Sequence, residues 1–286
     1  MSIEDIVLSR DQRGVSLLRP YLPSDFCEQA AAFILERCPG TVVIATGFYV
    51  PSGGAPETDG PPGAIALGDA LARLACRVFY VTDAYTAPLL RGLLGSDGQV
   101  LEFPMAGHRE SWRHAVELLR DVSPTLLLSV ERCGLTAGGV YRNMRGLDVS
   151  SYHAKVDYLF WEHDASIGIG DGGNEIGMGN LAAAVPVVMP VVQPCVTKTS
   201  RLVIASVSNW GAWGVLSAMS RVHGVNLLPP VTEARDLLAR TVALGAVDGV
   251  NGLRTLSVDG HPLEENDRVL TEMHAWLERV GVPVSP

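Results

Sequence analysis

The residues from 166 to 180, SIGIGDGGNEIGMGN, constrain the fold more than any other stretch of this chain. Six of these fifteen residues are glycine, so we expect neither an ordinary helix nor a strand interior here. The only charged side chains are Asp171 and Glu175, with Asn174 between them. This pattern predicts backbone bent closely around something small, with side-chain oxygens aimed inward, as Mg²⁺ or Mn²⁺ favours. The alternative is a glycine-rich surface turn with two solvated acids.

Two kinds of apolar segment alternate along the chain. Short continuous apolar runs such as TVVIAT, at 41–46, are typical of strands buried on both faces. Segments with helical spacing follow them, and the one at 110–119 places Trp112, Val116 and Leu119 on its apolar side. The predicted strands are 41–46, 78–81, 100–103, 125–130 and 202–207, and the predicted helices are 64–75, 87–94, 110–119, 214–222, 233–244 and 265–280.

Two further segments and the order of the elements complete the predicted architecture. Residues 156–161 fit either a helix or a strand, and residues 256–260 fit a small hairpin with Asp259-Gly260 at its turn. Alternating strands and helices predict a mostly parallel β-sheet with helices on both faces. We therefore expect an α/β fold of three layers, formed by a single domain over residues 1–286.

The composition argues against several classes of partner. The chain has 286 residues and a net charge of −9 without a basic cluster, so nucleic acid is not expected to bind. The longest apolar run, 181–192, is broken by two prolines and is too short to span a bilayer. The five cysteines are scattered without a CxxC pair, which is typical of a reducing compartment. Because the N-terminus also lacks an apolar signal core, we expect a cytoplasmic protein without a membrane partner, and a homo-oligomer stays open.

Unusual polar residues follow the predicted strands. Glu57 and Asp59 lie in the long loop after the first strand, Glu131 follows the strand TLLLSV, and Ser208-Asn209 follow the last strand. These positions meet at the carboxyl ends of a parallel sheet, where open α/β folds form their ligand cleft. With the two acids of the glycine-rich stretch they predict an acidic, metal-holding pocket. The alternative is that Asp59 caps the helix after it and Glu57 is solvated.

Basic residues form a second group. Arg132, Arg142, Arg145 and Lys155 surround the segment GGVYRNMRGLDVS. Arginine can grip a carboxylate through two parallel hydrogen bonds, so one or two of these residues are candidates for holding an acidic substrate. Surface charges, or pairs with nearby acids, are an equally valid interpretation for each one taken singly.

The same stretches carry a family resemblance. In chain order they are ETDGPPGAIALGDAL, ERCGLTAGGVYRNMRG, GIGDGGNEIGMG, SVSNWGAWG and GVNGLRTLSVDGHPLEEN, and together they cover nearly the whole chain. With these motifs the chain resembles the D-glutamate cyclase family. The animal members carry an additional N-terminal hydro-lyase-like domain that these 286 residues lack, so we expect that the substrate can differ. Cys133 also departs from the proline or alanine that we would expect there.

The resemblance implies a metal-dependent hydro-lyase of the α/β class. The implied reaction is cyclisation of D-glutamate, a small acidic amino acid, to 5-oxo-D-proline with loss of water, supported by Mn²⁺ or Mg²⁺. By motif, the implied pocket residues are Glu57, Asp59, Glu131, Asp171, Asn174 and Glu175, with Ser208 and Asn209 beside them. For the reaction we expect Glu57, Asp171, Asn174 and Glu175 to bind the metal, Asp59 or Glu131 to take the proton of the amine, and Arg132 or Arg145 to hold the α-carboxylate.

Two other functions stay open at this point. An acidic pocket that holds two cations also suits a metal-dependent phosphohydrolase acting on small phosphomonoesters. A non-catalytic protein that binds an amino acid and a metal is the second alternative. The crowding of several acids, which is costly unless they are metallated or protonated, favours an enzyme over a carrier.

Overall fold

The computed structural model describes residues 1–97, 99–190 and 192–283. Its strands in chain order are β1 (Thr41–Thr46), β2 (Tyr49–Val50), β3 (Ala55–Pro56), β4 (Arg77–Thr82), β5 (Val100–Glu102), β6 (Leu126–Val130), β7 (Ser166–Gly170), β8 (Arg201–Ile204), β9 (Ser257–Val258) and β10 (His261–Pro262). Its α-helices are α1 (Ile3–Val7), α2 (Phe26–Leu35), α3 (Pro61–Arg73), α4 (Ala87–Leu94), α5 (His108–Val122), α6 (Asp157–Trp161), α7 (Val185–Val188), α8 (Ser208–His223), α9 (Val231–Ala243) and α10 (Leu263–Arg279).

A six-stranded parallel sheet forms the centre of the fold, in the order β5-β4-β1-β6-β7-β8. Because side chains alternate along a strand, β1 sends Val42 and Ile44 into one apolar core and Val43 and Ala45 into another. The first core is closed by helices that include α2, α3 and α8, and the second by α5 and α6. The predicted three-layer α/β fold is confirmed.

The strand order reverses direction between β1 and β6. After β1 the chain adds β4 and β5 on one side, and it then crosses back to place β6 on the other side of β1. The loops that leave β1 and β6 therefore diverge and open a crevice at the carboxyl edge of the sheet. The small antiparallel pairs, β2 with β3 and β9 with β10, lie outside the central sheet.

Two sequence-based expectations are corrected by the structure. Residues 166–170 do form a buried strand, β7, despite their glycines. A Cβ on Gly168 would lie 2.5 Å from the carbonyl oxygen of Ile176, so glycine lets the following loop pack on the strand. The buried side of α5 consists of Ser111, Ala115 and Leu118. Trp112 and Val116 are instead exposed.

The physical reason for the error in α5 is that large apolar residues can also lie on a surface. The indole N–H of Trp112 donates a hydrogen bond to Glu162 (2.8 Å), which holds this ring at the rim of the layer. Other boundaries shift by a few residues, since β8 ends at Ile204 and α8 begins at Ser208. Among the described residues, none of the helices has the length and apolar character needed to cross a membrane.

Candidate metal centre

Six carboxylates meet in the crevice where the strand order reverses. None of these side chains is more than 6% exposed. They come from the loop before α3, from the residues that follow β6 and β7, and from the turn between β9 and β10, and they are Glu57, Asp59, Glu131, Asp171, Glu175 and Asp259. Burial of this kind excludes a solvated surface turn for residues 171–175.

The glycine-rich loop positions two of the acids. Asp171 directly follows β7, and the chain then turns back so that the N–H groups of Gly172 and Gly173 donate to the two carboxylate oxygens of Glu175 (2.7 and 2.8 Å). Gly173 has a φ of +89°, a conformation that favours glycine. The composition of this loop thus allows the backbone to hold Glu175 next to Asp171.

Glu131 enters the site from the end of β6 in an unusual backbone conformation. Its φ is +45°, which is rare for a residue with a side chain and has a cost of about 1–3 kcal/mol. The hydroxyl of Ser208 donates to Oε2 of Glu131 (2.6 Å). Such strain at a buried acid is typical of functional sites.

Asp59 and Asn209 cap each other's helices. Asp59 accepts hydrogen bonds from the backbone N–H groups of Ser208 (2.7 Å) and Asn209 (2.8 Å) at the start of α8. The side-chain oxygen of Asn209 accepts from the N–H groups of Gly60 (3.1 Å) and Gly63 (2.7 Å) at the start of α3. Asp59 is therefore a capping residue, but for α8 and not for the helix that follows it in sequence.

The carboxylate oxygens form two groups with the spacing that a metal ion needs. One group consists of Asp59, Asp171 and Asp259 and the other of Glu131, Asp171 and Glu175, and within each group the ligand atoms lie within 4.8 Å of one another. Neither oxygen of Asp171 accepts a hydrogen bond from the described part of the chain. An all-oxygen donor set of this kind fits a hard divalent cation.

Glu57 and Asn174 lie at the same site without belonging to either group. Oε1 of Glu57 is buried and has no hydrogen-bond partner among the described residues. The amide of Asn174 donates to the backbone oxygen of Arg142 (2.9 Å), which directs this side chain toward the loop around Arg142. Both residues line the cleft that opens beside the acids.

Burial and mutual repulsion make the acids hard to ionise together. Burial, followed by the neighbouring acids, raises the pKa of Glu57 and Glu131 well above the usual range. Burial also raises the pKa of Asp59 to about 7, and that of Asp259 to about 7 despite the opposing effect of Arg13. A divalent cation would offset this repulsion, which is the electrostatic reason to expect one here.

Arg13 is the basic residue that the sequence did not mark. Its guanidinium forms ion pairs with Asp171 and Asp259, the latter at 2.9 Å. Asp11 orients the segment by accepting hydrogen bonds from the N–H groups of Arg13 and Gly14. Asp259 was predicted only as a turn residue, and the Asp-Gly dipeptide gives no sign that its carboxylate points into the site.

The basic residues predicted to hold the substrate lie in different places. Arg132 is fully buried and pairs with Asp83, and its guanidinium also donates to the backbone oxygens of Gly47 (2.9 Å) and Ala154 (3.0 Å). Arg132 is absent from the residues that line the cleft, because these structural bonds engage its side chain. Arg145 is exposed, lines the cleft and donates to the backbone oxygen of Val250 (2.8 Å).

Three further predicted polar residues do not line the cleft. Asn209 uses its side-chain oxygen on two backbone N–H groups and its amide on the oxygen of Thr58 (3.1 Å), so it positions the loop before α3. Lys155 donates to the backbone oxygen of Ala106, and Arg142 donates to that of Gly146. The cleft itself has a volume of about 80 Å³ and is walled on its apolar side by Phe48, Tyr49 and Val50.

Comparison with known proteins places this chain in a family. The family model described as "D-glutamate cyclase-like, C-terminal" matches residues 3–274. The human protein "D-glutamate cyclase, mitochondrial" is 29% identical over 265 residues, which cover 78% of this chain and 43% of the human protein. The chain thus spans less than half the length of this relative. An exopolyphosphatase-related protein from Bacteroides fragilis shares 11% identity at a TM-score of 0.43, over 92% of this chain and 58% of that one. That likeness is too weak to inform function.

Proposed function

The chain belongs to the D-glutamate cyclase-like, C-terminal family, and we propose that it is a metal-dependent hydro-lyase that closes D-glutamate, or a close relative, to 5-oxo-D-proline. In this reaction the amine nitrogen forms a bond to the γ-carboxyl carbon, a C–O bond breaks, and the oxygen leaves as water. The observation that carries the proposal is the buried acidic centre beside the cleft, in which Oδ1 of Asp171 has no hydrogen-bond donor in the described chain and Oδ2 is ion-paired with Arg13.

The acids of the centre provide the metal site in this proposal. Oxygen ligands that fit Mn²⁺ or Mg²⁺ come from two overlapping sets, which are Asp59, Asp171 and Asp259, and Glu131, Asp171 and Glu175. A bound divalent cation supplies Lewis acidity that polarises a carboxyl group and stabilises negative charge. Beyond this, cyclisation mainly requires that the amine and the γ-carboxyl group be aligned, because both already belong to one molecule.

Glu131 is the better candidate for the base that takes the proton of the amine. Glu131 lines the cleft, and only its Oε2 is used by Ser208. Asp59 accepts three backbone hydrogen bonds and does not line the cleft.

Arg145 is the candidate for binding the α-carboxylate of the substrate. Its guanidinium lies at the exposed rim of the cleft, and one nitrogen donates to the backbone oxygen of Val250. Its other donors suit a charge-assisted hydrogen bond to a carboxylate. Arg132 is left out of this role because Asp83 and two backbone oxygens engage it in the interior.

The test is proton NMR of the purified protein with D-glutamate and with L-glutamate, first in EDTA and then with Mn²⁺ or Mg²⁺. We expect 5-oxoproline from the D-isomer only, and only with metal. Glu131→Gln should lower kcat at least about 100-fold, the usual size of a general-base contribution. Arg145→Met should mainly raise KM.

Two outcomes would contradict the proposal. One is the absence of product with either metal while the protein binds metal. The other is full turnover by Glu131→Gln, which would remove the assigned base. Release of phosphate from small phosphomonoesters under the same conditions would favour a phosphohydrolase in its place.

A further inference from the structure

We propose that the acidic centre takes two divalent cations that share Asp171, and that the second ion binds only when it displaces the guanidinium of Arg13. The inference rests on the metal dependence of the proposed function but not on its substrate or reaction. The tighter position is formed by Glu131, Asp171 and Glu175, and the weaker one by Asp59, Asp171 and Asp259.

The geometry supports two positions, because the two ligand groups have Asp171 as their single common member. A carboxylate has two oxygens and can bridge two cations, as in two-metal enzymes. Asp171 is fully buried; its Oδ1 has no donor in the described ranges, and its Oδ2 is ion-paired with Arg13, the group that the second cation would displace. Glu57 adds a further buried oxygen, Oε1, without such a donor beside the same centre.

The charge at the centre also calls for more than one ion. Six buried carboxylates face the single guanidinium of Arg13, which leaves a formal charge of −5 when all six are ionised. One divalent cation beside Arg13 reduces this charge to −3, and a second cation that displaces Arg13 reduces it to −2. Uncompensated charge is costly in a buried site, so the second ion lowers this cost further.

Arg13 makes the two positions unequal. Its guanidinium forms ion pairs with Asp171 and Asp259, two of the three ligands of the second position. In the described part of the chain no such pair involves Glu131 or Glu175. An ion at the first position therefore shares only one ligand, Asp171, with Arg13, whereas an ion at the second position competes with Arg13 for two ligands and binds more weakly.

The stoichiometry of Mn²⁺ measures this directly on the whole chain without substrate. We expect two ions per chain by isothermal titration calorimetry, with dissociation constants at least about tenfold apart, equivalent to about 1.4 kcal/mol. Electron paramagnetic resonance provides a second readout, because two Mn²⁺ ions that share a carboxylate interact magnetically. The signal of the first ion should therefore broaden when the second equivalent is added.

Variants separate the two positions. Asp259→Asn should remove the weak ion and leave the tight one, and Glu175→Gln should weaken the tight one. Arg13→Met should strengthen the weak ion about tenfold, since the competing guanidinium is gone. Arg10→Met is the matched control: this arginine lies in the same segment but pairs with Glu265 and Glu272. It should leave both affinities unchanged.

Binding of one ion by both the natural chain and Arg13→Met would overturn the inference, and so would two ions of which neither responds to Arg13→Met. Thermal melting of each variant checks that it folds, and Arg13→Lys, which keeps a cation on a different geometry, provides an independent variant. Failure of the proposed reaction gives a different pattern, because the two ions would still bind while D-glutamate gave no product.

Discussion

Replacing Arg132 with methionine tests whether this residue holds the fold or the substrate. Its side chain is fully buried and is bonded to three groups, which are the carboxylate of Asp83 and the backbone oxygens of Gly47 and Ala154. Methionine fills a similar volume but donates no hydrogen bond. The variant leaves Asp83, which is 1% exposed, as a charge without its partner.

The expected cost follows from these contacts. Removing one partner of a buried ion pair costs about 3–5 kcal/mol, because the other charge stays buried and uncompensated. For a chain of this length we take a urea m value of about 3 kcal/mol per M, so the urea midpoint should fall by about 1–1.7 M. The double variant Arg132→Met/Asp83→Leu should regain part of this loss, since it removes both charges together.

The assay is urea unfolding followed by circular dichroism, with Arg145→Met as the matched control. Arg145 is exposed and has one backbone partner, so its loss should change the free energy of unfolding by less than about 0.5 kcal/mol. The two variants should thus separate, with stability lost in Arg132→Met and substrate affinity lost in Arg145→Met. An Arg132→Met protein with unchanged stability and a raised KM would refute the structural role.

Three further predictions concern packing, pH and metal. Gly168→Ala should lower the free energy of unfolding, measured in urea, by about 1–3 kcal/mol, because the new Cβ would meet the carbonyl of Ile176. Gly107→Ala, whose new Cβ has no atom within 4 Å, should lower it by less than about 1 kcal/mol. Equal losses in the two variants would contradict the close approach at Gly168. Burial lowers the pKa of His153 to about 4, below the 6.5 of an unperturbed histidine. As pH falls from 6.5 to 4, the unfolded chain therefore binds a proton at His153 before the folded chain does. Over this range the free energy of unfolding of the natural protein should fall by about 3 kcal/mol relative to that of His153→Gln. Parallel curves of stability against pH for the two proteins would exclude this effect. Mn²⁺ at about 100 times its dissociation constant should raise the melting temperature by about 5–10 °C, and Asp171→Asn should lose most of that gain; an equal gain would remove Asp171 from the site.

The architecture could be predicted because the strong signals are local. The run at 41–46 has four consecutive apolar residues between two threonines, a pattern typical of a strand buried between two helical layers. The hairpin at Asp259-Gly260 was found from its turn chemistry in the same way. The buried face of α5 is predicted wrongly, because a pattern of apolar residues treats Trp112 as a core residue although its ring lies at the exposed rim of the layer.

The acidic centre could be predicted only where its residues follow strands. Glu131 and Asp171 are placed by the sheet itself, so their convergence follows from the topology. Arg13 and Asp259 reach the centre from segments whose path depends on tertiary packing, and no local pattern marks them. Nor can the sequence distinguish Arg132, which lies in the interior, from Arg145, which lies at the rim.

The helices α3 and α8, which begin at the acidic centre, also determine at what stage of folding the centre can form. Asp59 and Asn209 link the starts of α3 and α8, and Asp259, another acid of the centre, lies 200 residues along the chain from Asp59. Contacts between such distant segments form late in folding, since their loop-closure entropy must be overcome first. A cation that binds at this centre would therefore bind after most of the chain has folded. Its effect should appear as slower unfolding and hardly at all as faster refolding.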